Sequence, residues 1–425
     1  MCKALWISHT SIPLVPASPN YFPPANHSDV KPLSDDYYVS GDEDLVEEED
    51  PYHSPRFLGQ GGFGSVDEVY KRSDALQVRF ARKRYRQPNI HTSQRQKILD
   101  ELRKEANILR NISFRHVVEL VKCYTWKEQF CIIIAPVADT NLGEFLSNLD
   151  FIAIGAERDK AREVALQWPC CLIRAIDYLH EMRIRHRDIK PSNILIKGGT
   201  IFLIDFGISK IVAEDDTTGS TGPVGPHTYT YSAPEILSDN DVRRGLATDI
   251  YALGCVFLEL CTALIAPPGS RADSANHRLR RTATLAYARN ETAILQWILH
   301  IWAHWSLLVR GKLTDDEYAR FGGSLPDLLF IMLDPGPKKR ITARQLVAMI
   351  ITPRLYYFDS LNITGCIACR VTNGFEDTNL RLHSEFKDTD DLKYAKNPKH
   401  ALEMLPAPDW ESTKREWLRS HVLWK

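Results

Sequence analysis

Two short apolar runs separated by a pair of glycines constrain this chain more than any other feature. Ile194-Leu195-Ile196-Lys197 and Ile201-Phe202-Leu203-Ile204 each read as a strand, and Gly198-Gly199 between them reads as a tight turn. A hairpin brings its ends together. Asn193, just before the first strand, should therefore lie beside Asp205, just after the second. His186-Arg187-Asp188-Ile189-Lys190-Pro191-Ser192-Asn193 runs into the hairpin and Asp205-Phe206-Gly207 leaves it. Asp188, Asn193 and Asp205 are thus expected to converge, giving one acid free for proton chemistry and two oxygen ligands suited to Mg²⁺.

The chain is long enough to bury a substantial core, with 425 residues of which 44% are hydrophobic. A formal net charge of −1 gives no global signal for nucleic acid or an anionic membrane. The sequence reads as having no membrane span and no signal peptide, which implies an intracellular protein, cytoplasmic or nuclear. The nine cysteines are scattered, mostly in apolar runs such as Cys131-Ile132-Ile133-Ile134, which favours buried reduced thiols over a disulfide framework. Cys366 and Cys369 form a single C-x-x-C without a second pair, so packing is the preferred reading over zinc.

Four segments are expected along the chain. Residues 1–54 are rich in proline and acid, including Glu47-Glu48-Glu49-Asp50, and read as a disordered leader. Residues 55–137 read mostly as strands, among them Val66–Tyr70, Val78–Ala81, Val117–Leu120 and Cys131–Ile134, with one helix over about 94–112. Residues 138–354 read as mainly helical, with helices near 160–183, 247–263, 290–309, 323–333 and 342–351. Residues 355–425 leave two readings open, a helical extension or a tail. A small sheet-rich lobe followed by a larger helical one makes an α+β architecture with a crevice between the lobes.

Leu58 leads into Gly59-Gln60-Gly61-Gly62-Phe63-Gly64-Ser65-Val66, a G-x-G-x-x-G-x-V turn. Glycines are needed where backbone N–H groups approach phosphates without a Cβ between. A dinucleotide fingerprint would put a helix directly after the last glycine. Here the strand-like Val66 to Tyr70 follows instead, so that alternative is disfavoured.

The octapeptide ending at Asn193, the Asp205-Phe206-Gly207 triplet and the glycine turn together resemble the signatures of the protein kinase family, of the serine/threonine class. The resemblance spans about 55 to 351 and implies a bilobal kinase fold that uses ATP and Mg²⁺. It assigns Lys83, in Phe80-Ala81-Arg82-Lys83, to the strand lysine, although Arg82 stands where the family has an apolar residue. In an alternating strand Arg82 faces away from Ala81 and Lys83, which makes the departure tolerable. By the same resemblance Glu105 pairs with Lys83, Asp188 is the base, Lys190 steadies the γ-phosphoryl group, and Asn193 and Asp205 hold Mg²⁺. His186 is implied to pack beneath Phe206 rather than to catalyse.

The adenine pocket implied by this mapping has walls of Leu58, Val66, Ala81 and Leu195, with Ile134 behind. The hinge backbone contacts come from Ala135 and Val137, flanking Pro136. Ala233-Pro234-Glu235 closes an activation segment, residues 205–235, that a regulatory kinase could phosphorylate, with Arg187 to receive the phosphate. Thr228 matches the family threonine facing the base, and His227 replaces the usual glycine before it. Asp249 is implied to brace the catalytic loop and Arg340 to pair with Glu235. Lys190, two residues after Asp188, points to a protein substrate with a serine or threonine acceptor. The rival reading is a pseudokinase-type ATP-binding scaffold. Retention of Lys83, Asp188 and Asp205 weighs against it.

Overall fold

Alternating apolar positions build the first part of the molecule as a sheet. The computed structural model describes residues 46–47, 50–61, 64–85, 99–100, 102–103, 106–127, 129–149, 152, 155–206, 210–211, 229–238, 245–265, 284–310 and 325–351. Six strands form the first sheet: β1 (Val46–Glu47), β2 (Tyr52–Gly61), β3 (Gly64–Lys71), β4 (Phe80–Tyr85), β5 (Glu119–Trp126) and β6 (Gln129–Ala135). Their spatial order is β1-β5-β6-β4-β3-β2, antiparallel throughout except for the parallel β1–β5 pair. Residues 99–100, 102–103 and 106–110 are helical, and Ala106, Ile108 and Leu109 are buried.

The sheet differs from the sequence reading at two places. The strand expected at Val78 begins at Phe80, because Asp74 ties up the preceding turn by accepting the backbone N–H groups of Leu76 and Val78. Residues just upstream of 55, within the stretch expected as a leader, take part in the sheet. β2 starts at Tyr52, and Val46–Glu47 and Asp50 already make ordered contacts.

The remainder is mainly helical. After β7 (Thr140–Asn141) come α1 (Leu142–Leu149), α2 (Ala156–Ala165) and α3 (Trp168–Glu181). The sequence singles out no helix for α1. Asn141 starts it by accepting the Glu144 N–H at 3.1 Å, while the Glu144 carboxylate accepts from the Thr140 hydroxyl. Leu142, Phe145, Leu146 and Leu149 then line one buried face at helical spacing.

The single helix expected over 160–183 is two. Pro169 would clash with the Ala165 carbonyl in a continuous helix, so the chain breaks at Leu166-Gln167 and restarts with Pro169 in the first turn of α3.

Four short strands frame the loops between the helices: β8 (Ile184–Arg185), β9 (Ile194–Lys197), β10 (Thr200–Leu203) and β11 (Lys210–Ile211). The helical elements that follow are α4 (Pro234–Leu237), α5 (Ala247–Ile265), α6 (Glu291–Arg310), α7 (Leu325–Met332) and α8 (Ala343–Ile351).

Helix α5 is long and apolar enough to cross a membrane, longer than the sequence reading allowed. Its most apolar stretch is 89% buried inside the protein, as befits the central helix of the lobe. One continuous apolar core runs from Ala81, Ile132 and Ile134 in the sheet through α3 and α5 to Val347 in α8. A second, smaller cluster on the opposite face of the sheet contains Tyr52, Val69, Phe80, Val121, Tyr124, Cys131, Ile133 and Ala135. The α+β, two-lobe architecture expected from the sequence is the one observed. The six cysteines among the described residues are free thiols, five of them buried.

Candidate active site

The hairpin forms as its glycines require. Gly198 and Gly199 have φ of +55° and +80°, the left-handed conformations of a two-residue turn, and β9 pairs with β10 in register from Lys197–Thr200 to Ile194–Leu203. At the open end the Ile204 N–H donates to the Asn193 carbonyl at 3.1 Å. Asp205 follows at once with φ +74°, a left-handed turn that sends the chain out of the hairpin. The hairpin is anchored on both sides. Leu203 exchanges backbone bonds with His116 and Val118, and Asp139 accepts the Gly198 N–H at 2.8 Å and pairs with Lys197 at 2.7 Å.

The loop before the hairpin is fixed from below by α5. Asp249, fully buried, accepts the backbone N–H of His186 and of Arg187, each at 2.9 Å, and lies 3.1 Å from His180 Nε2. Burial alone would raise the Asp249 carboxyl, but His180, His186 and the Arg187 N–H outweigh it and hold the group below the usual carboxylate range. Arg187 has φ +73°, so these two amide bonds hold a backbone turn that a side chain disfavours. The His186 ring is buried, 4.9 Å from the Phe206 ring at a 52° tilt, and its Nε2 lies 3.1 Å from the Ile204 carbonyl. The two rings thus pack tilted against each other.

Asp188 sits at the centre of what these elements hold. Its Oδ2 accepts from Lys190 Nζ at 2.6 Å and from Asn193 Nδ2 at 2.9 Å, and Asn193 Nδ2 also donates to the Asp188 carbonyl at 2.9 Å. With its nitrogen committed, Asn193 has Oδ1 as the end suited to a cation. Asp205 Oδ1 accepts from Lys83 Nζ at 2.9 Å. Burial would raise the Asp205 carboxyl, but Lys83, then His186 and Lys190, more than offset it and keep the group below its ordinary value. No three His, Cys, Asp or Glu side chains gather to hold a metal among the described residues. The site offers instead one carboxylate and one amide oxygen. That donor set fits a hard ion completing its shell with phosphate oxygens and water.

The sheet supplies the roof. β2 and β3 pair at Gly59–Val66, Gln60–Ser65 and Gly61–Gly64, so the glycine turn is the tip of a hairpin, as its strand context implies. Gly62 and Phe63 at that tip lie outside the described residues. Gly64 is glycine for a reason the sequence reading missed: a Cβ there would lie 1.9 Å from the Arg84 carbonyl of β4. Nothing lies within 4 Å of a Cβ built on Gly59, where the space is open.

Ala81 pairs with Ile134 and Lys83 with Ile132 across β4–β6. Ala81, Ile134 and Val137 share the main core with Val66 and Leu195 packed on it, and Ala135 at the end of β6 is buried on the sheet's other face. Leu58 is exposed. Glu105, the expected partner of Lys83, lies outside the described residues, as do Gly207, His227, Thr228 and the Cys366–Cys369 pair.

The loop closing at Ala233-Pro234-Glu235 is tied down twice. Glu235 and Arg340 form a buried bidentate pair at 2.7 and 3.0 Å. Tyr231 and Tyr287 both donate to Glu259 Oε1, at 2.8 and 2.6 Å, and the Tyr287 N–H donates to the Thr230 carbonyl at 3.0 Å. Sequence reasoning overlooked this second tie. Its signal was available: Glu259 is a lone acid in the apolar second half of α5.

A family model described as protein kinase domain matches residues 52–350. Curated relatives include a probable serine/threonine-protein kinase mps1 of Dictyostelium discoideum, 30% identical over 49% of this chain and 21% of that protein. Others are the serine/threonine-protein kinase Nek6 of Oryza sativa subsp. japonica, 30% identical over 48% of this chain and 35% of its own length, and the serine/threonine-protein kinase PknD of Mycobacterium tuberculosis, 30% identical over 53% and 31%. The shared stretch thus covers about a third or less of each relative's length.

Proposed function

Because this chain belongs to the protein kinase family, we propose that it transfers the γ-phosphoryl group of ATP to serine and threonine hydroxyls of protein substrates. The observation that carries the reading is the meeting of two charge pairs at the hairpin's open end. Lys190 and Asn193 hold the Asp188 carboxylate, and Lys83 holds that of Asp205. The serine/threonine assignment is supported by Lys190 two residues after Asp188 and by the relatives, which are serine/threonine-protein kinases by name.

In this reading the acceptor hydroxyl gives its proton to the Asp188 carboxylate as its oxygen bonds to the γ-phosphorus. The bond from that phosphorus to the β–γ bridging oxygen breaks, and ADP leaves. Lys190 stands beside the reacting phosphoryl group as charge shifts onto the leaving oxygen. Asn193 Oδ1 and the Asp205 carboxylate would hold Mg²⁺, which neutralises charge on the β- and γ-phosphates when bound. Lys83 would meet the α- and β-phosphates, and Gly59, Gln60, Gly61, Gly62, Phe63, Gly64 and Ser65 would cover them. Leu58, Val66, Ala81 and Leu195 would enclose the adenine, with the hinge backbone at Ala135 and Val137 and with Glu105 completing the lysine's environment.

The test is phosphate transfer from ATP to mixed protein substrates beside Asp188→Asn and Lys83→Met, followed by phosphoamino-acid analysis. Phosphoserine or phosphothreonine lost in both variants is the expected result. ATP binding without any transfer would overturn the enzyme reading, and phosphotyrosine as the sole product would overturn the acceptor class.

A further inference from the structure

The outer face of the six-stranded sheet carries a buried charge network that the reaction above does not use. Arg82, 2% exposed, lies directly across the β3–β4 ladder from Asp67, 1% exposed. Two bonds join them, Nε to Oδ1 at 3.2 Å and Nη2 to Oδ2 at 2.6 Å. The remaining nitrogen, Nη1, donates to Asp50 Oδ2 at 2.6 Å and to the Tyr124 hydroxyl oxygen at 2.9 Å. Tyr124 in turn donates to Asp50 Oδ1 at 3.3 Å, and the same oxygen accepts the Tyr52 N–H at 3.0 Å. Arg72 Nε holds the Asp50 carbonyl at 3.0 Å. Burial by itself would weaken the Arg82 cation, but its bonds to Asp67, Tyr124 and Asp50 outweigh that and keep it firmly charged.

Asp50 lies upstream of the segment that the family model matches, residues 52–350. So does β1, whose Val46 and Glu47 pair with Thr125 and Trp126 on the free edge of β5. Chain from outside the family domain therefore adds an edge strand to the catalytic lobe and closes its buried cation.

Arg82 and Lys83 are neighbours in one strand and face opposite sides of the sheet. β4 is an interior strand, with β3 on one side and β6 on the other, so any shift that relaxes Arg82 on the outer face carries Lys83 with it on the inner face. We propose that Asp50 is a positioning residue for Lys83, fixing β4 through Arg82 and so placing the lysine that meets the nucleotide phosphates. The inference rests on the nucleotide-binding part of the proposed function.

The test is calorimetric titration of the full chain with Mg²⁺–ADP and, separately, with adenosine, which has no phosphates and so does not report on Lys83. Asp50→Ala is expected to weaken ADP about five- to tenfold while leaving adenosine unchanged, with Asp50→Glu restoring part of the loss. In a Lys83→Met background the same substitution should add nothing further. Tyr124→Phe removes two hydrogen bonds, the one accepted from Arg82 and the weaker one given to Asp50, and no charge. It carries the same test if Asp50→Ala does not fold, with about a twofold loss for ADP alone. Unchanged ADP affinity, equal weakening of both ligands in a folded variant, or a full effect persisting in Lys83→Met would overturn the proposal. Because binding is read rather than turnover, a wild-type chain that binds ADP but transfers no phosphate counts against the proposed activity alone.

Discussion

Asn193 grips Asp188 twice with one nitrogen: Nδ2 donates to both the backbone carbonyl and the carboxylate Oδ2, each at 2.9 Å. The hairpin does not depend on that side chain, since the closing bond from Ile204 goes to the Asn193 backbone. Orientation of the acid and closure of the strands are thus separable.

This separation predicts that Asn193→Ala folds normally but loses turnover. Removing the amide leaves the Asp188 carboxylate with its Lys190 bond but without the Asn193 one that fixes its orientation, and deletes the oxygen proposed for Mg²⁺. A fall in kcat of ~10² or more is expected, and Asp188→Asn should lose ~10²–10⁴. Single-turnover phosphotransfer beside thermal melting checks both, with melting expected to change little for Asn193→Ala.

Lys83→Met should move the acid limb of Mg²⁺–ADP binding to higher pH. In the wild-type chain burial raises the Asp205 carboxyl and Lys83 more than reverses it, leaving the group below its ordinary value. Without Lys83 the largest opposition to burial is gone, and the weaker effects of His186 and Lys190 remain. The stabilisation from a depressed carboxyl is present above its unfolded pKa, about 3.9, and is lost as pH falls through the folded one. The variant should therefore lose affinity at a pH where the wild type still binds. Superimposable pH profiles would refute the coupling.

The two ends of the glycine turn should respond differently to alanine. A Cβ on Gly64 meets the Arg84 carbonyl at 1.9 Å, a backbone atom in an interior strand with nowhere to move. Gly64→Ala should cost ~1–3 kcal/mol as an overpacking clash, visible as a lowered denaturation midpoint. Gly59→Ala meets nothing within 4 Å and should leave stability nearly unchanged. Any loss there appears in nucleotide affinity instead.

The hairpin half of the candidate site was legible because its information is local. Asp188, Asn193 and Asp205 are tied to one hairpin whose strands, turn and register follow from eleven consecutive residues, 194–204. The same holds for the glycine turn, where alternation after Gly64 showed a strand and not a helix. What escaped notice depends on tertiary pairing. Alternation gives the direction of Arg82 but not Asp67 across the ladder, still less Asp50 arriving from 32 residues upstream. The acidic composition of that upstream stretch argued for disorder, and composition cannot see one aspartate meeting a buried arginine. The Gly64 constraint was likewise hidden, since the atom it accommodates belongs to a strand 20 residues on. The split between α2 and α3 was in plain view as Pro169, outvoted by a strong helical period.

Glu259 makes the last prediction. Its carboxylate is buried under the loop at Tyr231, bonded to two tyrosine hydroxyls. Burial raises this carboxyl above the usual range, and the two hydroxyl bonds only partly offset that. A carboxyl whose folded pKa is raised contributes stability that is fully present below its unfolded value, about 4.3, and is lost as pH rises through the folded one. Glu259→Gln keeps an oxygen for both tyrosines and removes the charge. It should match the wild type at low pH, exceed it in denaturant stability at pH 8, and flatten the pH dependence between. Glu259→Leu leaves two buried hydroxyls without their acceptor, at about 1–3 kcal/mol for each, and should be destabilised at every pH. It should also loosen the Tyr231 loop, because the tie through Glu259 is lost while the Tyr287–Thr230 backbone bond and the Glu235–Arg340 pair remain, so transfer to a protein acceptor should fall while ADP affinity stays constant. Equal stability of the glutamine and leucine variants at pH 8 would show that the tyrosine bonds contribute nothing and that the loop is held elsewhere.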